Sequence, residues 1–308
     1  MFLNIALLLV GLFLLTKGAD IFVEGSSSLA RKFKIPSIII GLTIVAIGTS
    51  APEASVSINS ALKGVNGVAI GNVLGSNIAN IFLILGLTAS ICALKMKKNT
   101  IKFEIPFVVF ITSLVCLMGY YFNSINRMCS LFLLGLFVLF LFYLFKISKN
   151  IEEEKVIYKE LSVLKITVFI IGGLFALIYG SDLTVNNAIE IAHKLNISDR
   201  IIGLTIVAIG TSLPELVTCA MAAIKKQPDI AVGNIVGSNI FNILFVLGLT
   251  SMIQPMEFSK EFLFDGIIAI LTVVVLLLFT FKTQILSRLQ GLFFFVSYIV
   301  YLIYLVIK

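Results

Sequence analysis

The chain has 308 residues, 59% of them hydrophobic and 13% charged, with a formal net charge of +7 and a mean hydropathy of +1.10. That hydropathy lies far above the range of water-soluble globular domains and excludes a soluble enzyme or binding module. The positive charge does not signal nucleic acid, because the basic residues sort by membrane side.

Apolar runs long enough to cross a hydrocarbon core of roughly 30 Å recur ten times, which predicts an all-α polytopic membrane protein. They span 2–30, 36–62, 67–94, 103–122, 128–146, 162–191, 200–224, 229–253, 262–281 and 288–307. The first lacks a basic n-region and has a counterpart opening the second half of the chain, so it reads as a mature helix rather than a signal peptide. Cys92, Cys116, Cys129 and Cys219 show no CxxC spacing and sit in or beside these runs, as free thiols would. With ten spans, sixteen Lys and Arg residues fall in or beside the loops after segments 1, 3, 5, 7 and 9, against six on the other side. The positive-inside rule then places both termini outside and the central linker in the cytoplasm, in a protein of the cell membrane.

Two halves of this chain repeat each other. Gly41-Leu-Thr-Ile-Val-Ala-Ile-Gly-Thr-Ser-Ala-Pro-Glu53 returns as Gly203-Leu-Thr-Ile-Val-Ala-Ile-Gly-Thr-Ser-Leu-Pro-Glu215, an offset of 162 residues. The same offset, without a gap, relates Asp20 to Asp182 and the stretch Ala69–Asn80 to Ala231–Asn242. Each half holds five spans, an odd number, so the second copy enters the membrane from the opposite face. The predicted organisation is a first five-helix repeat over 1–147, a short charged cytoplasmic linker over 148–161, and an inverted repeat over 162–308. The linker carries Glu152, Glu153 and Glu154 among lysines and reads as a solvated connection.

The repeated segments carry the chemistry. Pro52 and Pro214 lack a backbone donor and push away the carbonyls of Gly48 and Gly210, so helix breaks are expected there, with carbonyls near 46–49 and 208–211 released. Thr49 and Ser50 lie four and three residues before Glu53, on one helical face, and Thr211 and Ser212 stand in the same relation to Glu215. Asn72, Ser76 and Asn80 form a second polar stripe at four-residue spacing, repeated as Asn234, Ser238 and Asn242. Helices 2, 3, 7 and 8 are thus expected to be broken and to line one chamber. Asn77 and Asn239 read equally well as glue between helices.

No Lys or Arg lies in 36–62, 67–94 or 203–224, so neither glutamate has a basic partner on these helices. Two carboxylates in a low-dielectric chamber must take up protons or be neutralised by cations. With no nitrogen or sulfur ligand in the set, the chemistry favours hard cations; a flexible cage of six to eight oxygens suits Ca²⁺, and hydroxyls with carbonyls suit Na⁺.

The paired motifs GTS-x-PE and GN-x-x-GSN resemble the two repeats of the cation/calcium antiporter superfamily, most closely the compact prokaryotic sodium/calcium exchangers. The resemblance implies exchange of Ca²⁺ for Na⁺ by alternating access, with segments 1 and 6 sliding against the other eight. It implies that Glu53 and Glu215 share Ca²⁺, helped by the backbone of Thr49 and Thr211. Ser50, Ser76, Ser212 and Ser238 with the carbonyls of Ala46 and Ala208 would serve Na⁺, and Asn80 and Asn242 would complete the centre. The paired asparagines, where some relatives carry aspartate at the second position, weigh against potassium co-transport. No cofactor, nucleic acid or obligatory protein partner is implied beyond the transported ions and the bilayer.

The rival readings are a proton-coupled cation antiporter on the same glutamates and, from another class, a passive cation channel. An intramembrane hydrolase lacks support: there is no HExxH motif and His193 is the only histidine. His193 lies near a segment end and reads as a surface residue. Asp20 and Asp182 either line an ion vestibule or pair locally, Asp20 with Lys17.

Overall fold

The apolar segments fold into helices because no other open structure satisfies the backbone in hydrocarbon. A computed structural model of the protein describes residues 2–64, 66–148, 161–195 and 208–307. The predicted linker and the first residues of the seventh segment fall almost wholly outside them.

Among the described residues, eight helices are long and apolar enough to cross a membrane: α1 (Phe2–Phe33), α4 (Gly67–Ile91), α5 (Thr100–Phe122), α6 (Arg127–Ser148), α7 (Val163–Lys194), α9 (Pro228–Ile253), α10 (Lys260–Thr280) and α11 (Arg288–Ile307). A bent pair, α2 (Ser37–Thr49) and α3 (Ala51–Leu62), which meet at 47°, is long and apolar enough when taken together. The remaining helix, α8 (Leu213–Ile224), has 12 residues and follows a single turn, Ala208–Gly210.

The 162-residue offset survives in three dimensions. It carries α3 onto α8 residue for residue, and carries strand β1 (Leu94–Lys95) onto β3 (Met256–Glu257). Strands β2 (Ser124–Ile125) and β4 (Ile285–Leu286) complete two antiparallel ribbons, β1 with β4 and β2 with β3. Each ribbon joins a loop of one half to a loop of the other. Since α5 runs from β1 to β2 and α10 from β3 to β4, these two helices lie antiparallel between the ribbons and pack together.

α1 and α7 are 32 residues each, about 48 Å at 1.5 Å per residue, longer than a bilayer core requires. They pack along each other with backbones in contact. A Cβ on Gly173 would stand 2.8 Å from the Phe22 nitrogen and 2.9 Å from the Gly18 carbonyl oxygen, so only glycine permits this approach.

Helices α4 and α9 differ from expectation. Each crosses without a break and carries a π-helical turn, Asn80–Leu85 in α4 and Asn242–Val246 in α9. A π-turn inserts one residue and rotates everything beyond it by about 100°. The polar stripe stops at Asn80 and Asn242, since the next positions at its spacing are Ile84 and Val246, and Ile81, Ile84 and Leu85, like Ile243 and Leu244, lie in the core. The breaks belong to the proline-bearing segments alone, since a π-turn needs no missing donor.

Candidate cation site

Glu53 lies in the first turn of α3 and Glu215 in the first turn of α8, directly after the helix breaks, and each is 1% exposed. Helix N-termini favour negative charge, which suits carboxylates placed there. At the first break the Ser50 N–H closes on the Ala46 carbonyl at 3.0 Å and the Ala54 N–H on the Ser50 carbonyl at 3.1 Å. The expectation that the Ala46 carbonyl is released is thus corrected: one of its lone pairs stays in the helix because Ser50 precedes the proline and keeps its donor. Neither Pro52, which has no donor, nor Glu53 returns a helical hydrogen bond to the carbonyl four residues before it, that of Gly48 or Thr49. At the second break the Gly210 carbonyl, freed by Pro214, takes the Ser181 hydroxyl of α7 at 2.8 Å. Position 19, equivalent to Ser181, is alanine, so the repeat gave no signal for this contact. The Ala208 side chain lies outside the described residues.

The halves interlock across the chamber. Ser50 Oγ donates to Glu215 Oε1 at 2.9 Å, and Ser212 Oγ donates to Glu53 Oε1 at 3.1 Å. Asn80 Nδ2 donates to Asn239 Oδ1 at 2.9 Å, and Asn242 Nδ2 to Asn77 Oδ1 at 3.2 Å. Asn77 and Asn239 also donate to each other's backbone carbonyls, at 3.2 and 3.4 Å. They are the glue the sequence allowed, and they fix which way Asn80 and Asn242 face. With the amide nitrogens engaged, the amide oxygens of Asn80 and Asn242 have no hydrogen-bond partner, and neither do Oε2 of Glu53 and Oε2 of Glu215. Four buried oxygens, related in pairs by the repeat, accept from nothing in the protein.

The remaining predicted residues surround this group. Thr49 Oγ1 donates to Asn234 Oδ1 at 2.9 Å and to the Val45 carbonyl at 3.0 Å. Ser238 Oγ reaches the Ala46 carbonyl at 3.5 Å, and Ser76 is buried in the equivalent place on α4. Asn72 Nδ2 ties the Glu53 carbonyl at 3.1 Å and Ser57 Oγ at 2.9 Å. In the other half Cys219 stands where Ser57 does, and Asn234 Nδ2 bonds its sulfur at 3.3 Å. All four cysteines are free thiols. Thr211 is half-buried beside Ser212. Among the described residues no group of three or more His, Cys, Asp or Glu side chains gathers anywhere, so the chamber carries two carboxylates and otherwise neutral oxygens.

Asn77→Leu leaves Asn242 Nδ2 and the Asn239 carbonyl without their partner. The expected cost is about 2 kcal/mol, read as a lowered thermal midpoint of the purified protein, with Asn239→Leu matching it.

The sequence profile of the sodium/calcium exchanger protein family matches residues 3–146 and 165–307, nearly the whole chain. The chain belongs to the sodium/calcium exchanger family. The sodium/calcium exchanger MaX1 of Methanosarcina acetivorans is 32% identical over 98% of this chain and 99% of its own. The putative antiporter CaxA of Alkalimonas amylolytica is 44% identical over 80% of each chain. Among solved structures, the sodium–calcium exchanger NCX_Mj soaked with 2.5 mM Na⁺ and 1 mM Sr²⁺ superposes with a TM-score of 0.86 at 35% identity, covering 97% of both chains. The exchanger family is one of transporters, and the resemblance carried by the two motifs is borne out. Lys17 is exposed, and Asp20 pairs instead with Lys225, in the other half of the exchanger. His193 is exposed at the end of α7.

Proposed function

We propose that the protein is a secondary antiporter that exchanges Ca²⁺ for Na⁺ by alternating access. Its chain crosses the membrane ten times as two inverted five-helix repeats, 1–147 and 162–308, with the linker in the cytoplasm and both termini outside the cell membrane. The observation that carries the reading is the set of four unpartnered oxygens on Glu53, Glu215, Asn80 and Asn242. A desolvated acceptor without a donor costs free energy, and four of them, two on the carboxylates themselves, make a cage that suits a bound cation. One Ca²⁺ balances the two negative charges, with the Thr49 and Thr211 carbonyls supplying further oxygens. Several Na⁺ ions balance the same charges when spread over Ser50, Ser212, Ser76, Ser238 and the carbonyls of Ala46 and Ala208. Because both ions need the same glutamates, one must leave before the other binds. The empty chamber keeps its two charges, and moving them past an apolar gate is unfavourable, which suppresses a leak.

Ser50 and Ser212 each touch the glutamate of the other half, so their hydroxyls tune the Na⁺ arrangement more than the Ca²⁺ pair. Ser50→Ala and Ser212→Ala are expected to raise the Na⁺ concentration giving half-maximal exchange about threefold to tenfold, with a smaller change for Ca²⁺. Counter-ion-dependent Ca²⁺ flux in proteoliposomes reads both. Equal shifts for the two ions contradict this division of roles.

A further inference from the structure

Lys63 and Lys225 end α3 and α8 at equivalent positions. Both helices close through a left-handed residue, Gly64 at φ 75° and Lys226 at φ 57°. At the second, Lys226 N–H reaches the Ala223 carbonyl at 3.0 Å and Gln227 N–H the Ala222 carbonyl at 2.8 Å, which fixes the turn that presents Lys225. The backbone setting is shared; the surroundings are not. Lys225 Nζ lies 2.7 Å from Asp20 Oδ1 and 3.1 Å from Glu24 Oε2, and donates to the Asp20 carbonyl at 2.8 Å, all on α1. Lys63 and Asp182, the residues equivalent to Lys225 and Asp20, are both exposed and form no ion pair with each other.

Packing follows the same asymmetry. α1 lies along α8, and α7 makes no comparable contact with α3. On α9, Gly233, Asn234 and Gly237 are buried; on α4, the equivalent Gly71, Asn72 and Gly75 are half-exposed. Two stretches of near-identical sequence thus hold two arrangements at once. In an inverted repeat, exchanging those arrangements between the halves turns one access state into the other.

We infer that Lys225 with Asp20 and Glu24, and Lys63 with Asp182, are alternative latches of which only one is closed at a time. The first holds α1 against α8 in the conformer described, shutting the side on which α8 ends. After the switch the second holds α7 against α3 and shuts the opposite side. The two sliding helices move together because their backbones interlock at Gly18 and Gly173. The latches are unequal: Glu24 corresponds to Asn186, so Lys225 faces two carboxylates and Lys63 one. That difference biases the empty carrier towards the conformer described. The role of the latches in transport rests on the proposed exchange, but the switch itself is read without any flux.

The test places nitroxides at Leu62→Cys and Leu195→Cys, exposed positions at the ends of α3 and α7, in the full-length protein with Cys92→Ala. Electron–electron distance measurements then report the separation of α3 and α7. Lys225→Ala is expected to raise the ratio of the short-distance to the long-distance population about fivefold or more, and Lys63→Ala to lower it. The charge swap Asp20→Lys with Lys225→Asp restores the original ratio, which a variant that merely loosens the fold does not. In sided vesicles, Lys225→Ala also lowers the apparent KM for Ca²⁺ on the side where α8 ends and raises it on the other. Unchanged distances, or shifts in the same direction for Lys225→Ala and Lys63→Ala, overturn the latches even if exchange is normal. The expected distance shifts in a protein that performs no Na⁺–Ca²⁺ exchange keep the latches and remove the exchange reading instead.

Discussion

Glu53→Gln and Glu215→Gln each reduce Ca²⁺ exchange by about a hundredfold or more while leaving the protein folded. The reason is the division of labour between the two oxygens of each carboxylate. Oε1 accepts a serine hydroxyl from the opposite half, and an amide oxygen in that place still accepts it, so the interlock between halves survives. Oε2 has no partner, and an amide nitrogen there presents hydrogens where the cage needs a charged acceptor. Radiolabelled Ca²⁺ uptake, with size-exclusion profiles and thermal midpoints beside it, separates loss of the site from loss of the fold. Glu104 provides the contrast. It is also a buried carboxylate with one oxygen taken by a hydroxyl, that of Tyr143 at 2.7 Å, and the other unpartnered, but it lines a cavity with Ile38, Ile39, Leu42 and Lys97 that holds no second carboxylate. Glu104→Gln keeps exchange within about twofold of the parent. A full effect in Glu104→Gln, or near-normal exchange in either site variant, contradicts the assignment.

Gly173→Leu is expected to be strongly damaging although it lies outside the chamber. An added Cβ there meets the Phe22 backbone nitrogen at 2.8 Å, and backbone cannot move aside as a side-chain tip does. Forcing a leucine between α1 and α7 separates the helices, with an overpacking cost of about 1–3 kcal/mol in well-packed interiors. In the proposed mechanism the pair slides as a unit, so exchange is expected to fall by more than about tenfold alongside a lower thermal midpoint. The neighbouring Gly172 is exposed, and a Cβ there meets nothing within 4 Å, so Gly172→Leu retains stability and flux. Equal behaviour of the two variants in a melting curve argues that α1 and α7 do not depend on this contact.

Much of the fold is legible in the sequence because hydrophobic length and an exact repeat leave few alternatives. The span positions, the equivalence of α3 with α8, and the burial of both glutamates follow from residue type and spacing alone. The helix breaks follow from Pro52 and Pro214. The π-turns at Asn80 and Asn242 do not, since Asn-Ile-Phe-Leu and Asn-Ile-Leu-Phe carry no proline or glycine to announce them. They begin where the polar stripe ends, and the residues they carry lie largely in the core. Within the site, the polar residue types are predictable, but their pairing is not. Nothing in a four-residue stripe says that Asn77 and Asn239 orient Asn242 and Asn80, or that Ser181 satisfies the carbonyl freed by Pro214. The same limit applies to Asp20, whose local partner Lys17 is three residues away, while its partner in space, Lys225, is two hundred and five residues along the chain. In the proposed latches, pairing between halves depends on which access state the repeat adopts, so one sequence must encode both.

The most direct measurement is Ca²⁺ uptake into proteoliposomes holding the purified full-length protein, driven by an outward Na⁺ gradient and compared with an imposed pH gradient at equal Na⁺. Uptake that requires the Na⁺ gradient, ignores the pH gradient and disappears in Glu53→Gln is the result expected. Uptake that follows the pH gradient, or Ca²⁺ flux that persists with no counter-ion at all, contradicts Na⁺-coupled exchange at this site.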